Sequence, residues 1–268
     1  MTRTVRVGTS GWVYPPWRGT FYPKGLVQRR ELEYLSSTLN SVEINGTFYS
    51  LQKPDSFRRW AEQTPDDFAF SVKGPRFITH MKKLRDVDAP VANFFASGVL
   101  ALGPKLGPVL WQLPPSMRFD PDRLGPFLDG LPRTTVAAAE IARHHDERLD
   151  GRDWFDVDAD RPVRHAVEVR HATFESSRAV RLLRDAGVAL VLADAAHLYP
   201  VMDEKTADFT YCRLHGDEKL YVSGYSAESL DKWAATLRRH RGDIYAYFDN
   251  DVKVHAPFDA RGLLDRLS

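Results

Sequence analysis

The sequence predicts an α/β protein of the (β/α)8 TIM-type, a parallel barrel jacketed by helices. Three observations predict it. Extended stretches alternate with helical ones about eight times along the 268 residues. In most of the strands one face is small or polar and ends in a charged or hydrogen-bonding residue, while the other is apolar and suits a layer of helices. No glycine-rich dinucleotide fingerprint follows any strand, which argues against a doubly wound open sheet.

The elements follow in order. Val5 to Gly8 is the first strand, leading into a loop dense in aromatic residues and proline from Thr9 to Trp17. Leu32, Leu35 and Leu39 have helical spacing. Ser41 to Asn45 is the second strand, with Ser41, Glu43 and Asn45 opposite Val42 and Ile44. Asp55 is placed to cap a helix carrying Phe57, Trp60 and Ala61. Phe68 to Lys73 is the third strand, and Val91 to Leu102 a helical apolar stretch. Pro108 to Pro114 is the fourth strand, with Leu110 and Gln112 sharing a face. Helices are predicted over Pro121 to Leu128 and Val136 to Leu149. Val163 to Arg170 is the fifth strand, followed by a helix from Ser176 to Ala186 that Gly187 ends.

Val188 to Asp194 is the sixth strand. The link from Ala195 to Asp208 is short for a full helix, so the barrel is expected to be irregular there. The seventh strand runs from Phe209 through Tyr211-Cys212-Arg213-Leu214-His215 and closes at Gly216. Tyr211, Arg213 and His215 share one face, so a guanidinium and an imidazole enter the sheet interior and require polar partners. Cys212 points to the helices and reads as core. Ser226 caps a helix through Leu230, Trp233 and Leu237, Ile244 to Asp249 is the eighth strand, and Pro257 to Leu267 closes the chain. Gly151-Arg152-Asp153 is the one tempting boundary, and the chain is read as a single domain over 1–268.

Composition narrows the function. Hydrophobic residues make up 43%, enough for a sizeable core, and the net charge of +1 argues against a histone-like coat of positive charge. A single cysteine permits no intramolecular disulfide and fits a reducing compartment. The start lacks a signal-peptide core and no apolar run is long enough to span a membrane, so a soluble cytoplasmic protein with no membrane partner is expected.

The motifs resemble those of the YecE-like family, also called domain of unknown function 72. They are Gly8-Thr9-Ser10-Gly11-Trp12 with Tyr14 and Trp17, Phe21-Tyr22-Pro23, and Val42-Glu43-Ile44-Asn45 with Thr47-Phe48-Tyr49. Ser71-Val72-Lys73 with Thr79-His80, Leu110-Trp111-Gln112-Leu113-Pro114-Pro115, Glu168-Val169-Arg170-His171, Arg213-Leu214-His215-Gly216 and Phe248-Asp249-Asn250-Asp251 continue the resemblance over nearly the whole chain. It implies a TIM-type barrel and no established reaction. Asp249 departs from the pattern, which the resemblance implies to be Asn at that position.

Functional residues of such barrels sit at the C-terminal strand ends. Those ends offer Ser10, Glu43, Asn45, Lys73, Gln112, Glu168, Arg170, Asp194, Arg213, His215 and Asn250. Glu43 and Glu168 read either as an acid–base or nucleophile pair, as in sugar hydrolysis, or as neutralisers of cations across the pocket. Lys73, Arg170 and Arg213, with Arg76, Lys82 and Lys83 nearby, read as an anion site or as internal ion pairs. His80, His171 and His215 with Glu43, Glu168 and Asp194 are of metal-ligand type. Their spacing matches no compact motif and the interspersed Lys and Arg repel a cation, so no cofactor is predicted, and a divalent metal stays as the alternative by analogy with endonuclease-like barrels. Trp12, Tyr14, Trp17, Phe48 and Tyr49 either stack on a ligand or plug the barrel, and Tyr221 and Tyr225 extend the rim.

The leading expectation is a cation-rich pocket for an anionic, phosphate-bearing ligand; if the protein is an enzyme, the chemistry is acid–base, of hydrolase or isomerase type. Lys73, Arg170 and Arg213 would hold the anion, Glu43 or Glu168 would act as base, and His215 or His80 as acid. The alternatives are a nucleic-acid-binding barrel and a non-catalytic metabolite sensor.

Overall fold

The computed structural model describes residues 3–268. The strands are β1 Val5–Ser10, β2 Ser41–Ile44, β3 Ala69–Lys73, β4 Leu106–Gln112, β5 His165–Glu168, β6 Ala189–Leu190, β7 Leu192–Asp194, β8 Phe209–Leu214 and β9 Asp243–Phe248. All pair in parallel in the order β6-β5-β4-β3-β2-β1-β9-β8-β7, a nearly closed barrel. β6 and β7 are two halves of one extended stretch broken at Val191. The first half pairs with β5 and the second with β8, so the ring comes together across the break. The stretch Ala195 to Asp208 that follows holds no helix, as its length predicts.

Nine α-helices lie among the described residues: α1 Glu31–Ser36, α2 Gly46–Tyr49, α3 Pro54–Glu62, α4 Asp88–Ala96, α5 Pro121–Asp129, α6 Thr135–Ala142, α7 Ser177–Asp185, α8 Ala227–Arg239 and α9 Ala256–Leu267. Ser226 caps α8 through its hydroxyl, as read from the sequence, and Ser176 does the same for α7. Asp55 does not cap α3: Lys53 precedes the helix, Pro54 opens it, and Asp55 falls in its first turn. The two long apolar helices are shorter than predicted. α4 stops before Gly98, whose φ of 111° no continuing helix accepts, and a separate 3-10 stretch, Val99–Lys105, follows. α6 ends at Ala142, and Glu147–Leu149 is a separate 3-10 turn.

The alternation of faces builds two cores. Val7, Val42, Val72, Val109, Trp111, Val167, Leu214 and Phe248 point outward and join the larger core under the helices. Leu110, Ala166, Ala189, Val191, Ala193, Phe209, Tyr211, Tyr245 and Tyr247 fill the barrel. The filling is uneven: β8 and β9 bring the large aromatic rings, and the facing strands stay small to receive them. Tyr247 reaches across to β2 and β3, where its hydroxyl lies 2.7 Å from both Ser41 Oγ and Ser71 Oγ. Gly8 sits beside both Ser41 and Tyr247 in the register of β1. At the N-terminal end Arg164 bridges Asp243 at 2.6 Å and Asp208 at 3.2 Å. Above the tyrosines the interior becomes polar.

Candidate functional site at the barrel mouth

The polar layer is organised by Arg213 of β8. Its side chain is fully buried, and every nitrogen of the guanidinium donates. Nε donates to Glu43 Oε2 at 3.0 Å and Nη1 to Glu168 Oε2 at 2.7 Å. Nη2 reaches Glu43 Oε1 at 2.8 Å, Ser10 Oγ at 3.0 Å and Asp249 Oδ2 at 3.1 Å. Burial opposes the charge, but the three carboxylates reverse the balance and raise the guanidinium pKa further.

Both glutamates are saturated. Glu43 also accepts from Ser10 Oγ at 2.6 Å and from the Tyr211 hydroxyl at 2.7 Å. Glu168 accepts from Gln112 Nε2 at 2.9 Å and Arg170 Nε at 2.8 Å. Burial alone would raise the Glu168 carboxyl, but Arg170, Arg213 and His215 hold it well below the usual carboxylate range. His215 is wedged between Asp249, with Nδ1 3.1 Å from Oδ2, and Glu168, with Nε2 3.5 Å from Oε1. Asp249 is pulled the same way: burial raises it, and Arg213 and His215 bring it down to about 2.

A cavity of about 830 Å3 opens above this layer. Glu43, Glu168, Arg213 and His215 lie beneath its floor and do not line it. Lys73, Gln112, Arg170 and Asp249 form the floor, Arg76, His80 and Asp251 the sides, and Trp12, Tyr14, Phe48 and Tyr221 the aromatic walls. The first loop holds its aromatics rigidly. The Tyr14 hydroxyl donates to the Ser10 carbonyl at 2.5 Å, the Trp12 carbonyl accepts from Tyr22, and Trp12 packs edge-on against Trp60. Trp17 is wholly core, whereas Tyr49 is exposed at the rim.

The cations differ in their pairing. Arg170 is bound to Glu168, stacks on Tyr199 and reaches the Tyr221 hydroxyl at 3.4 Å. Among the described residues neither Lys73 nor Arg76 has a carboxylate within ion-pair distance. Lys73 is 4% exposed, and its Nζ lies 4.2 Å from the centre of the Phe48 ring. Burial, aided by Arg213, lowers its pKa to about 8. His80 packs edge-on against the same ring, with centroids 5.1 Å apart, and its Nδ1 lies 2.9 Å from Thr79 Oγ1. Burial and then the Lys73, Arg170 and Arg76 charges push it down to about 4, so it is neutral at pH 7. Asp251 moves the other way, raised to about 6 by burial and by Asp249.

Besides the residues beneath the floor, Asp194, Asn250 and Tyr225 fall outside the cavity, Tyr225 being buried and not on the rim. Asp194 shares its face of β7 with Leu192 and is paired in register with Leu214, so it points away from the barrel interior. Its Oδ2 accepts from the Tyr225 hydroxyl at 3.0 Å, and Gly216 N donates to that hydroxyl at 3.1 Å; the pair pins the end of β8. Asn250 is fully buried and holds Ser223 and Asp259 through its amide nitrogen. Asn45 does line the cavity, but from the start of α2 and not from a strand: β2 ends at Ile44. The sequence reading missed α2 and the π-helical turn Phe77–Met81, which carry Phe48 and His80 to the wall. It named Asp251 without giving it a role. Among the described residues no three His, Cys, Asp or Glu side chains converge as metal ligands. His171 instead caps the turn after β5 by accepting from Thr173 N at 3.1 Å.

Comparisons with known proteins agree with one another. A family model described as "Protein of unknown function DUF72" matches residues 6–268. The UPF0759 protein YecE of Escherichia coli (strain K12) is 36% identical over 143 residues, which is 52% of this chain and 48% of that protein. UPF0759 protein YunF of Bacillus subtilis (strain 168) is 30% identical over 117 residues, 41% of this chain and 40% of that protein. These alignments span about half the length of the curated relatives. The crystal structure of a DUF72 family protein from Thermotoga maritima MSB8 superposes with a TM-score of 0.76 at 27% identity, covering 99% of each chain. No helix among the described residues is long and apolar enough to cross a membrane. Sequence and fold thus lead to one conclusion: the chain belongs to the DUF72 family.

Proposed function

We propose that the barrel mouth binds a small organic anion bearing a phosphate or carboxylate group. The observation that carries this reading is the unpaired cations: Lys73 and Arg76 both line the cavity, and neither is neutralised by a protein carboxylate. Lys73 is the buried one of the two, and a buried charge without a partner is costly; an anion in the cavity would remove that cost, with Arg76 exposed at the side to meet it. Arg76 and Arg170 are the natural anchors, since a guanidinium grips phosphate or carboxylate through two parallel hydrogen bonds. Arg213, included in the anion site on sequence grounds, is withdrawn from it by its own carboxylates.

The same geometry relocates any acid–base chemistry. Glu43, Glu168 and His215 are shut under the floor and Asp249 is held by Arg213 and His215, so the carboxyl and imidazole groups left to face a ligand are Asp251 and His80. Asp251, at about 6, is poised to exchange a proton near neutral pH, and His80 offers a neutral imidazole. Hydrolysis of a phosphate-bearing ligand by these two groups is the reaction to assay.

The test is thermal unfolding of the chain with inorganic phosphate, sulfate and a panel of small phosphate esters and carboxylates. A ligand present at a hundred times its Kd adds about 2.7 kcal/mol of stability. Stabilisation by at least one of these anions, abolished in Arg76→Ala, is the expected result. An unchanged melting temperature across the panel would remove the anion reading.

A further inference from the structure

Lys73 stands apart from every other charge in the site. It ends β3, at the mouth of the barrel, and lines the cavity while remaining almost wholly buried. Its ammonium meets an aromatic ring face in place of a carboxylate. The carboxylates that could have paired with it are each engaged by Arg213. His80, on the same ring, is neutral and brings no counter-charge. A lysine buried beside a guanidinium, with no carboxylate in ion-pair distance among the described residues, is arranged to surrender its proton.

We propose that Lys73 is a nucleophilic amine that condenses with the carbonyl group of an anionic aldehyde or ketone held by Arg76 and Arg170. The inference rests on the anion reading above and adds to it a substrate class and a covalent step. The Nζ lone pair attacks the carbonyl carbon; the N–C bond forms and the C=O π pair passes to oxygen. The carbinolamine then loses that oxygen as water, taking both amine hydrogens, and the C=N bond of an imine remains. No oxidant, reductant or metal enters the balance. The imine is an electron sink for bond cleavage or proton removal at the neighbouring carbon.

The pH behaviour follows from the surroundings. Burial first, and then Arg213 facing it from β8, lower the Lys73 pKa, while Glu43, Glu168 and Asp249 from β2, β5 and β9 oppose the change. With the balance at about 8, a far larger share of the amine is unprotonated at pH 7 than for an exposed lysine.

The experiment is reductive trapping on the whole chain. Glyoxylate, and separately formaldehyde, is added with cyanoborohydride at pH 7, and adducts are located by peptide mass spectrometry. The exposed Lys24, Lys53, Lys83 and Lys219 serve as internal references. The expected result is carboxymethylation of Lys73 at least about tenfold faster than of the references, saturating with glyoxylate and slowed by inorganic phosphate. The Lys73 rate should rise with pH, reach half its limit near 8 and level off above it, while the reference rates continue to climb. Lys73→Arg, which keeps the charge, should lose this label and no other. Phosphate binding without preferential trapping at Lys73 by either aldehyde would overturn the inference and leave the anion reading intact. Preferential trapping of formaldehyde, with no preference for glyoxylate and no effect of phosphate, would overturn the anion reading and with it the anionic substrate proposed here. Neither result depends on a variant folding.

Discussion

Arg213 shows why a buried charge survives in this barrel. A lysine there would offer three donors at one point; the guanidinium spreads its donors over Glu43, Glu168, Asp249 and Ser10 in a fixed plane. Asp249 is the member of this set that also faces the cavity, and its charge is linked to folding. Its pKa is depressed to about 2, so its contribution is fully present above about 4 and is lost as the pH falls through about 2. Asp249→Asn should therefore be less stable than the native chain by about 2 kcal/mol at pH 7, with the gap closing between about pH 4 and 2. Urea unfolding of both proteins at a series of pH values checks this, and a constant gap down to pH 2 would count against it. At this scale the sequence was informative about which face a residue takes. Alternation put Glu43, Lys73, Gln112, Glu168, Arg213 and His215 on the inner face, and all are there. It could not say that Arg213 would absorb the glutamates and leave Lys73 unpaired, because that depends on side-chain reach between strands distant in sequence. Asp194 is different, since its signal was present: it shares parity with Leu190 and Leu192.

Strands of this barrel were more legible than the segments between them. A period of two over several residues survives tertiary packing, so each predicted strand was found. The break at Val191 was not legible, since Ala189 to Ala193 reads as one apolar run and the break arises from pairing with β5 on one side and β8 on the other. The short α2 and the π-helical turn lack the length that makes a helical period readable. Those two segments carry Phe48 and His80, so the hidden elements are the ones that complete the wall. Close strand packing gives a prediction of its own. A Cβ at Gly8 would lie 2.0 Å from the Ser41 carbonyl oxygen, which is backbone and cannot swing aside. Gly8→Ala should part β1 from β2 and lower stability by about 3 kcal/mol in urea unfolding. A change within about 0.5 kcal/mol would show that β1 slides to accept the methyl group.

Across the whole molecule, polarity is graded along the barrel axis. Arg164 and its aspartates close the N-terminal end, aromatic rings and small residues fill the middle, and the ion network supports the cavity at the C-terminal end. This grading favours the small ligand proposed above over a nucleic acid. Polyanion binding needs cations spread over an accessible surface, because each contacted phosphate must reach one. Here the net charge is +1, and the unpaired Lys73 lies at the cavity floor, 4% exposed. The rim above it presents Val13, Tyr49 and Val252, which are exposed and apolar, with Arg76 as an exposed cation at one side, too few charges to follow a strand. A strand lying across that rim would hold its phosphates away from Lys73 and above the Asp249 and Asp251 carboxylates. Fluorescence anisotropy of short single-stranded and duplex oligonucleotides should therefore show no binding at physiological salt, and no difference between the native chain and Lys73→Ala. A single phosphate ester small enough to enter the cavity should still compete with inorganic phosphate. Binding of an oligonucleotide that weakens steeply with salt and is lost in Lys73→Ala would reverse the argument, because it would require the strand to thread the mouth and reach the floor.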